Sequence, residues 1–166
     1  MASGEMWVGG ARHADISRLG GIATTFRDND YLRVLNKVLR SERRLVFIYS
    51  ALTQDLTSWQ QLLEHHQKAV QRLIVIITTH RGLPDTTVAP LSRVAARVCR
   101  SRSIAYWDKR ASLTRRILYS MEATLLRDYI ALHQMAPQRD MPDLEENERS
   151  IELCMEVLRR GDISSG

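Results

Sequence analysis

The sequence predicts an all-α protein built as four long amphipathic helices in two hairpins. Three observations lead there. Apolar residues recur at helical spacing through four separate segments, and no segment requires a strand. One short and one moderate connection join the helices within each pair, and a longer crossover links the pairs, which is the layout of a four-helix bundle. The chain also writes one pattern twice: ERRLVFIYSALTQ from Glu42 and EATLLRDYIALHQ from Glu122 place Tyr, Ala-Leu and Gln at the same offsets from a glutamate.

Each element has its own signals. The stretch from Met1 to about Arg27 is rich in Gly, Ala and Ser, so residues 1–28 are expected to form a flexible N-terminal arm ahead of a bundle at 29–161. The first helix carries Leu35, Val38, Leu45, Tyr49 and Leu52 on one stripe, with Asp28, Asn29 or Asp30 as its cap. Ser58 with Gln61 forms a capping-box start for the second helix, whose seam is Trp59, Leu62, His66, Ala69, Leu73 and Ile76/Ile77. The β-branched run LIVIITT continues that stripe without a break, so helix is preferred over strand, and Gly82 and Pro84 end it. A helical approach from Val88 leads into the third helix, with Leu118, Glu122, Leu125, Tyr129 and Leu132 on its seam. Asp143 can cap the last helix, whose seam runs Leu144, Asn147/Glu148, Ile151, Cys154/Met155 and Leu158, with Gly161 closing it and 162–166 a disordered tail.

Composition narrows the function classes. At 166 residues, 44% hydrophobic and 26% charged, the chain suits one globular domain. Two cysteines, Cys99 and Cys154, supply neither a disulfide framework nor a zinc cluster by themselves. No apolar run approaches the roughly 20 residues that cross a bilayer, and no signal-peptide core is present, so a cytoplasmic address is expected. Phosphate loops, nucleophile elbows and paired Cys-x-x-Cys motifs are missing, which removes the conventional nucleotide-binding and nucleophilic chemistries. The net charge of +5 is concentrated in a basic band of Arg93, Arg97, Arg100, Arg102, Lys109, Arg110, Arg115 and Arg116, either a solvated helical face or a contact for an anionic partner, including nucleic acid.

The repeated glutamates pose the chemical question. Glu42 shares its angular position with Leu35, Val38 and Tyr49, and Glu122 is placed likewise, so both point inward. A buried carboxylate is costly unless it is paired, hydrogen-bonded or bound to a cation. Three compensations stand open: a metal ion, a hydrogen-bond network with Tyr49, Tyr129, His66 and nearby arginines, or simple exposure.

The helix order, the Glu-to-Tyr spacing in the first and third helices, the HRGLPD turn and the stretch SMEATLLRDYIAL together resemble a bacterial ferritin-like family of uncharacterised function, distantly similar to rubrerythrin and bacterioferritin. The resemblance spans about Asp30 to Arg160 and implies a ferritin-like up-down bundle, commonly homo-oligomeric. It makes Glu42 and Glu122 metal ligands with Tyr49 and Tyr129 beside them, and it implies iron or manganese where the site is retained, with oxidase- or peroxidase-like activity. The sequence departs from that pattern on the other two helices. Glu64 is followed three residues on by Gln67, leaving His66 on the seam, and the fourth helix has no histidine, only Glu148 as a further candidate. A dinuclear site of this kind uses about six protein ligands, so the expectation is an incomplete site without a cofactor, in a chain acting mainly as a structural or protein-interaction module.

Overall fold

A computed structural model describes the backbone of residues 16–52, 58–87 and 107–160, with side chains from residues 29, 59 and 113 onward in those segments. It contains four helices, α1 (Ile16–Leu52), α2 (Ser58–Thr79), α3 (Trp107–His133) and α4 (Met141–Arg160), and no strand among the described residues. The LIVIITT run is the last part of α2. No described helix is long and apolar enough to cross a membrane. The expected tail at 162–166, the connection at 53–57 and the crossover from Val88 to Tyr106 lie outside the described residues.

Side-chain pairings fix the topology. Glu42 with His66 and Tyr31 with His80 set α1 antiparallel to α2, and Tyr129 with Asn147 sets α3 antiparallel to α4. Across the hairpins, Tyr49 with Glu122 and Glu42 with Tyr129 make α1 and α3 antiparallel neighbours, while Arg72 with Asn147 does the same for α2 and α4. It follows that α2 and α3 run parallel on one diagonal, so the chain between them joins opposite ends of the bundle. Its first residues turn back along α1: Asn36 Nδ2 donates to the Leu83 carbonyl, the Asp85 amide donates to Asn36 Oδ1, and Arg40 pairs with Asp85 at 2.8 Å. Hydrogen bonds from Thr87, joined by Arg40, hold the Asp85 carboxyl down at about 2.

The core follows the seams in the sequence. Leu35, Val38, Leu45 and Tyr49 of α1, Leu62, Ala69, Leu73 and Ile77 of α2, Leu118, Leu125, Tyr129 and Leu132 of α3, and Leu144, Ile151, Cys154 and Leu158 of α4 are all buried. With the buried Asn147 included, the α4 set alternates steps of three and four residues, the spacing that keeps one stripe facing a partner helix.

Two boundaries differ from expectation. The backbone is already helical from Ile16, inside the segment expected to be an arm. Ile16, Leu19, Ile22 and Phe26 are spaced three or four apart, a helical pattern masked by the Gly20-Gly21 pair because each interior glycine costs about 1 kcal/mol. At the other end, α4 starts two residues before Asp143, with the Asp140 carbonyl accepting its first turn's bond from Leu144. Asp140 is buried and clasps three segments, since its Oδ2 accepts from Tyr31 at 2.8 Å and contacts His80 Nε2 at 2.7 Å.

The α2 terminus shows which residue bears the turn. Arg81 adopts φ 58°, its amide donates to Thr78, and the Gly82 amide donates to Ile77, the hydrogen-bond pattern of a Schellman motif. The left-handed position is therefore Arg81. Gly82 is needed for space instead: a Cβ there would meet Leu32 Cδ2 at 2.6 Å and the Ile77 carbonyl at 3.1 Å. Arg81→Gly is expected to stabilise by about 0.5–1 kcal/mol because left-handed backbone is costly for a side-chain-bearing residue. Gly82→Ala should destabilise, and urea midpoints of the two variants should move in opposite directions.

Candidate functional site

The polar residues of the bundle's middle come from all four helices. Glu42 interrupts the apolar stripe of α1, His66 that of α2, Glu122 that of α3 and Asn147 that of α4, and none of the four is more than 1% exposed. Helical periodicity forces them together, because each lies on its helix's buried seam and the antiparallel pairings put them at one level.

His66 lies between the two carboxylates. Its Nδ1 is 2.6 Å from Glu42 Oε2 and its Nε2 2.9 Å from Glu122 Oε1. Carboxylates only accept, so both ring nitrogens donate and His66 is an imidazolium. Burial by itself pushes the ring's pKa down, but the charges of Glu122 and Glu42 more than reverse this and hold it well above the ordinary 6.5. Counted formally, two carboxylates against one imidazolium leave one negative unit in the core.

Two tyrosines add donors crosswise. Tyr49 donates to Glu122 Oε1 at 2.7 Å, and Tyr129 donates to Glu42 Oε1 at 2.8 Å. Burial, reinforced by the facing carboxylates, raises both phenols well above 10, so they stay protonated donors. Tyr49 also stacks on His66, with ring centroids 5.2 Å apart and planes 13° from parallel. The Tyr129 oxygen accepts from Asn147 Nδ2 at 3.1 Å, whose Oδ1 accepts from Arg72 at 2.9 Å. A chain of donors thus runs from the half-buried Arg72 guanidinium inward to Glu42.

Oxygen by oxygen, the network is complete except at one atom. Both oxygens of Glu42 and Oε1 of Glu122 have donors, whereas the buried Glu122 Oε2 has no hydrogen-bond partner among the described residues. The Cys154 thiol of α4 is buried in the same core, near His66, and its pKa is raised chiefly by burial. Ligand-capable atoms of His66, Glu122 and Cys154 all lie within 4.8 Å of one another.

Of the four candidate metal ligands, Glu42, His66 and Glu122 converge and Glu148 does not. Glu148 is one residue past Asn147, which turns it about 100° round the helix, and its carboxylate instead approaches His133 Nδ1 at 3.1 Å. Tyr49 and Tyr129 do stand beside the glutamates, but each serves the glutamate of the other long helix rather than the one two turns away on its own. Simple exposure is excluded as a compensation for the carboxylates. In the basic band, Arg115 is half-buried and Arg116 exposed on α3, while the side chains of Arg93, Arg97, Arg100, Arg102, Lys109 and Arg110 lie outside the described residues. Asn147 and Cys154 were placed on the α4 seam from the sequence, each beside an alternative, but not assigned to the site, and Arg72 was not singled out at all. Asn147 could have been assigned to it, as a polar residue on an otherwise apolar heptad stripe.

Compared with known proteins, the chain matches no family model, no curated protein and no solved structure.

Two measurements follow from this geometry. Tyr129→Phe leaves Glu42 Oε1 without a donor and Asn147 Nδ2 without an acceptor, and should cost about 1–3 kcal/mol. Tyr49→Phe should cost less, because Glu122 Oε1 retains His66, so chemical denaturation should rank the two variants in that order. The second concerns pH. A group whose folded pKa is raised contributes stability that is complete below its unfolded value of 6.5 and is lost as pH rises through the folded value. Unfolding free energy should therefore decline above about pH 6.5, by at most about 1.4 kcal/mol per pH unit, and His66→Gln should flatten that decline.

Proposed function

We propose that this chain is a ferritin-like four-helix bundle in which a dinuclear metal centre has given way to a protonated polar core, and that it serves mainly as a structural or protein-interaction module. The observation that carries this reading is the oxygen inventory: three of the four carboxylate oxygens of Glu42 and Glu122 are taken by His66, Tyr49 and Tyr129. Where a dinuclear bundle site would draw Glu and His from the second and fourth helices, this core draws His66 from α2 and Asn147 and Cys154 from α4. Glu64 is exposed, and Glu148 is turned toward His133 and away from the two glutamates. The kinship itself is supported by two antiparallel hairpins joined end to end and by inward glutamates on α1 and α3. Self-association or a protein partner would cover the exposed apolar side chains of Leu113, Ile117 and Ile130 on α3.

A second reading has its own support. The convergence of Glu42, His66 and Glu122 in a core of net negative charge favours iron or manganese binding with oxidase-type chemistry. Metal analysis of protein purified without a histidine tag, together with dioxygen uptake after ferrous iron is added, separates the two. Substoichiometric iron and manganese with no uptake is the expected result. Two ions per chain, lost in Glu42→Ala and Glu122→Ala, would establish the second reading instead.

A further inference from the structure

From the convergence of three buried ligand-capable side chains, and from the Glu122 oxygen that has no hydrogen-bond partner among the described residues, we infer that Glu122, His66 and Cys154 form a binding site for one thiophilic divalent cation, of the zinc or cobalt(II) type. The inference rests on the reading that the core no longer holds a pair of ions, and adds a single-ion site with a thiolate ligand.

The three residues reach one point from three helices, α3, α2 and α4, and each is essentially without exposed surface. A tetrahedral ion with bonds of about 2.0–2.3 Å holds its ligand atoms about 3–4 Å apart. One carboxylate oxygen of Glu122, one ring nitrogen of His66 and Cys154 Sγ already lie within 4.8 Å of one another, and a turn of the Glu122 carboxylate exchanges its two oxygens. Glu122 Oε2 is the natural ligand atom, since Oε1 is retained by Tyr49. A buried acceptor left unpaired is otherwise a net cost. His66 would bind through Nε2 while its Nδ1–H keeps the 2.6 Å bond to Glu42, the carboxylate–histidine arrangement that fixes a metal-bound imidazole. Glu42 then becomes a positioning residue rather than a ligand.

The charges balance. One divalent ion enters, the proton on His66 Nε2 and the proton on Cys154 Sγ leave, and no electron moves, so the core keeps its single negative charge. Cysteine sulfur selects zinc or cobalt over magnesium, calcium and manganese, which prefer all-oxygen ligand sets.

Cobalt(II) chloride added to the full-length protein tests this, because a cobalt–thiolate bond gives a near-ultraviolet charge-transfer band that oxygen and nitrogen ligands do not. One equivalent should bind with that band and be displaced by zinc. Cys154→Ser should abolish the band and Cys99→Ser should keep it. Glu42→Gln should weaken binding about 10–100-fold while preserving the spectrum. Absence of the band in the unaltered protein, or its survival in Cys154→Ser, overturns the inference, and because the first of these uses no variant it stands even if Cys154→Ser fails to fold. Two equivalents bound without a thiolate band would instead overturn the single-ion reading of the core, whereas no binding at all sinks the cation site and leaves that reading intact.

Discussion

Two carboxylates removed from water, Glu42 and Glu122, are the constraint around which the middle of this bundle is organised. An ionised carboxylate in a low-dielectric interior is penalised by several kcal/mol even after relaxation, far more than any single apolar contact returns. One buried imidazolium shared between them, two phenol donors and an amide relayed to Arg72 are what make them tolerable. Such a network is intolerant of partial loss, because each deletion leaves a buried group without its counterpart.

The repeated Glu-to-Tyr spacing has a geometric meaning that the chain order hides. In two antiparallel helices, facing residues have a constant sum of residue numbers, and Glu42 with Tyr129 has the same sum as Tyr49 with Glu122. Reciprocal pairing is possible only if the spacing is equal on both helices. The partner helices do not repeat: α2 supplies His66, α4 supplies Asn147 and Cys154. This asymmetry is why Glu42 is fully satisfied and Glu122 keeps an oxygen to spare.

The four helices, their seams and the inward direction of both glutamates were legible in the sequence, because periodicity on a long amphipathic helix needs no tertiary information. His66 was legible as a seam residue for the same reason. What failed depended on neighbouring elements. Asn147 and Glu148 are adjacent, and only the rotational setting of α4 against α3 decides which one faces Tyr129 and which faces His133. The Tyr31–His80–Asp140 clasp joins residues far apart along the chain that follow no common period. Arg81 in a left-handed turn contradicts the usual preference for glycine, and the adjacent Gly82 drew the assignment to itself although its role is steric.

The protonation state of His66 tests this arrangement most directly. Nitrogen-15 NMR of the imidazole, followed as pH rises, distinguishes a ring bearing two protons from either neutral tautomer. A ring bridging two carboxylates keeps both N–H signals, protected from solvent, well above pH 6.5. A neutral His66 at that pH, titrating near 6.5 like a solvated histidine, would contradict the charge-bridged core.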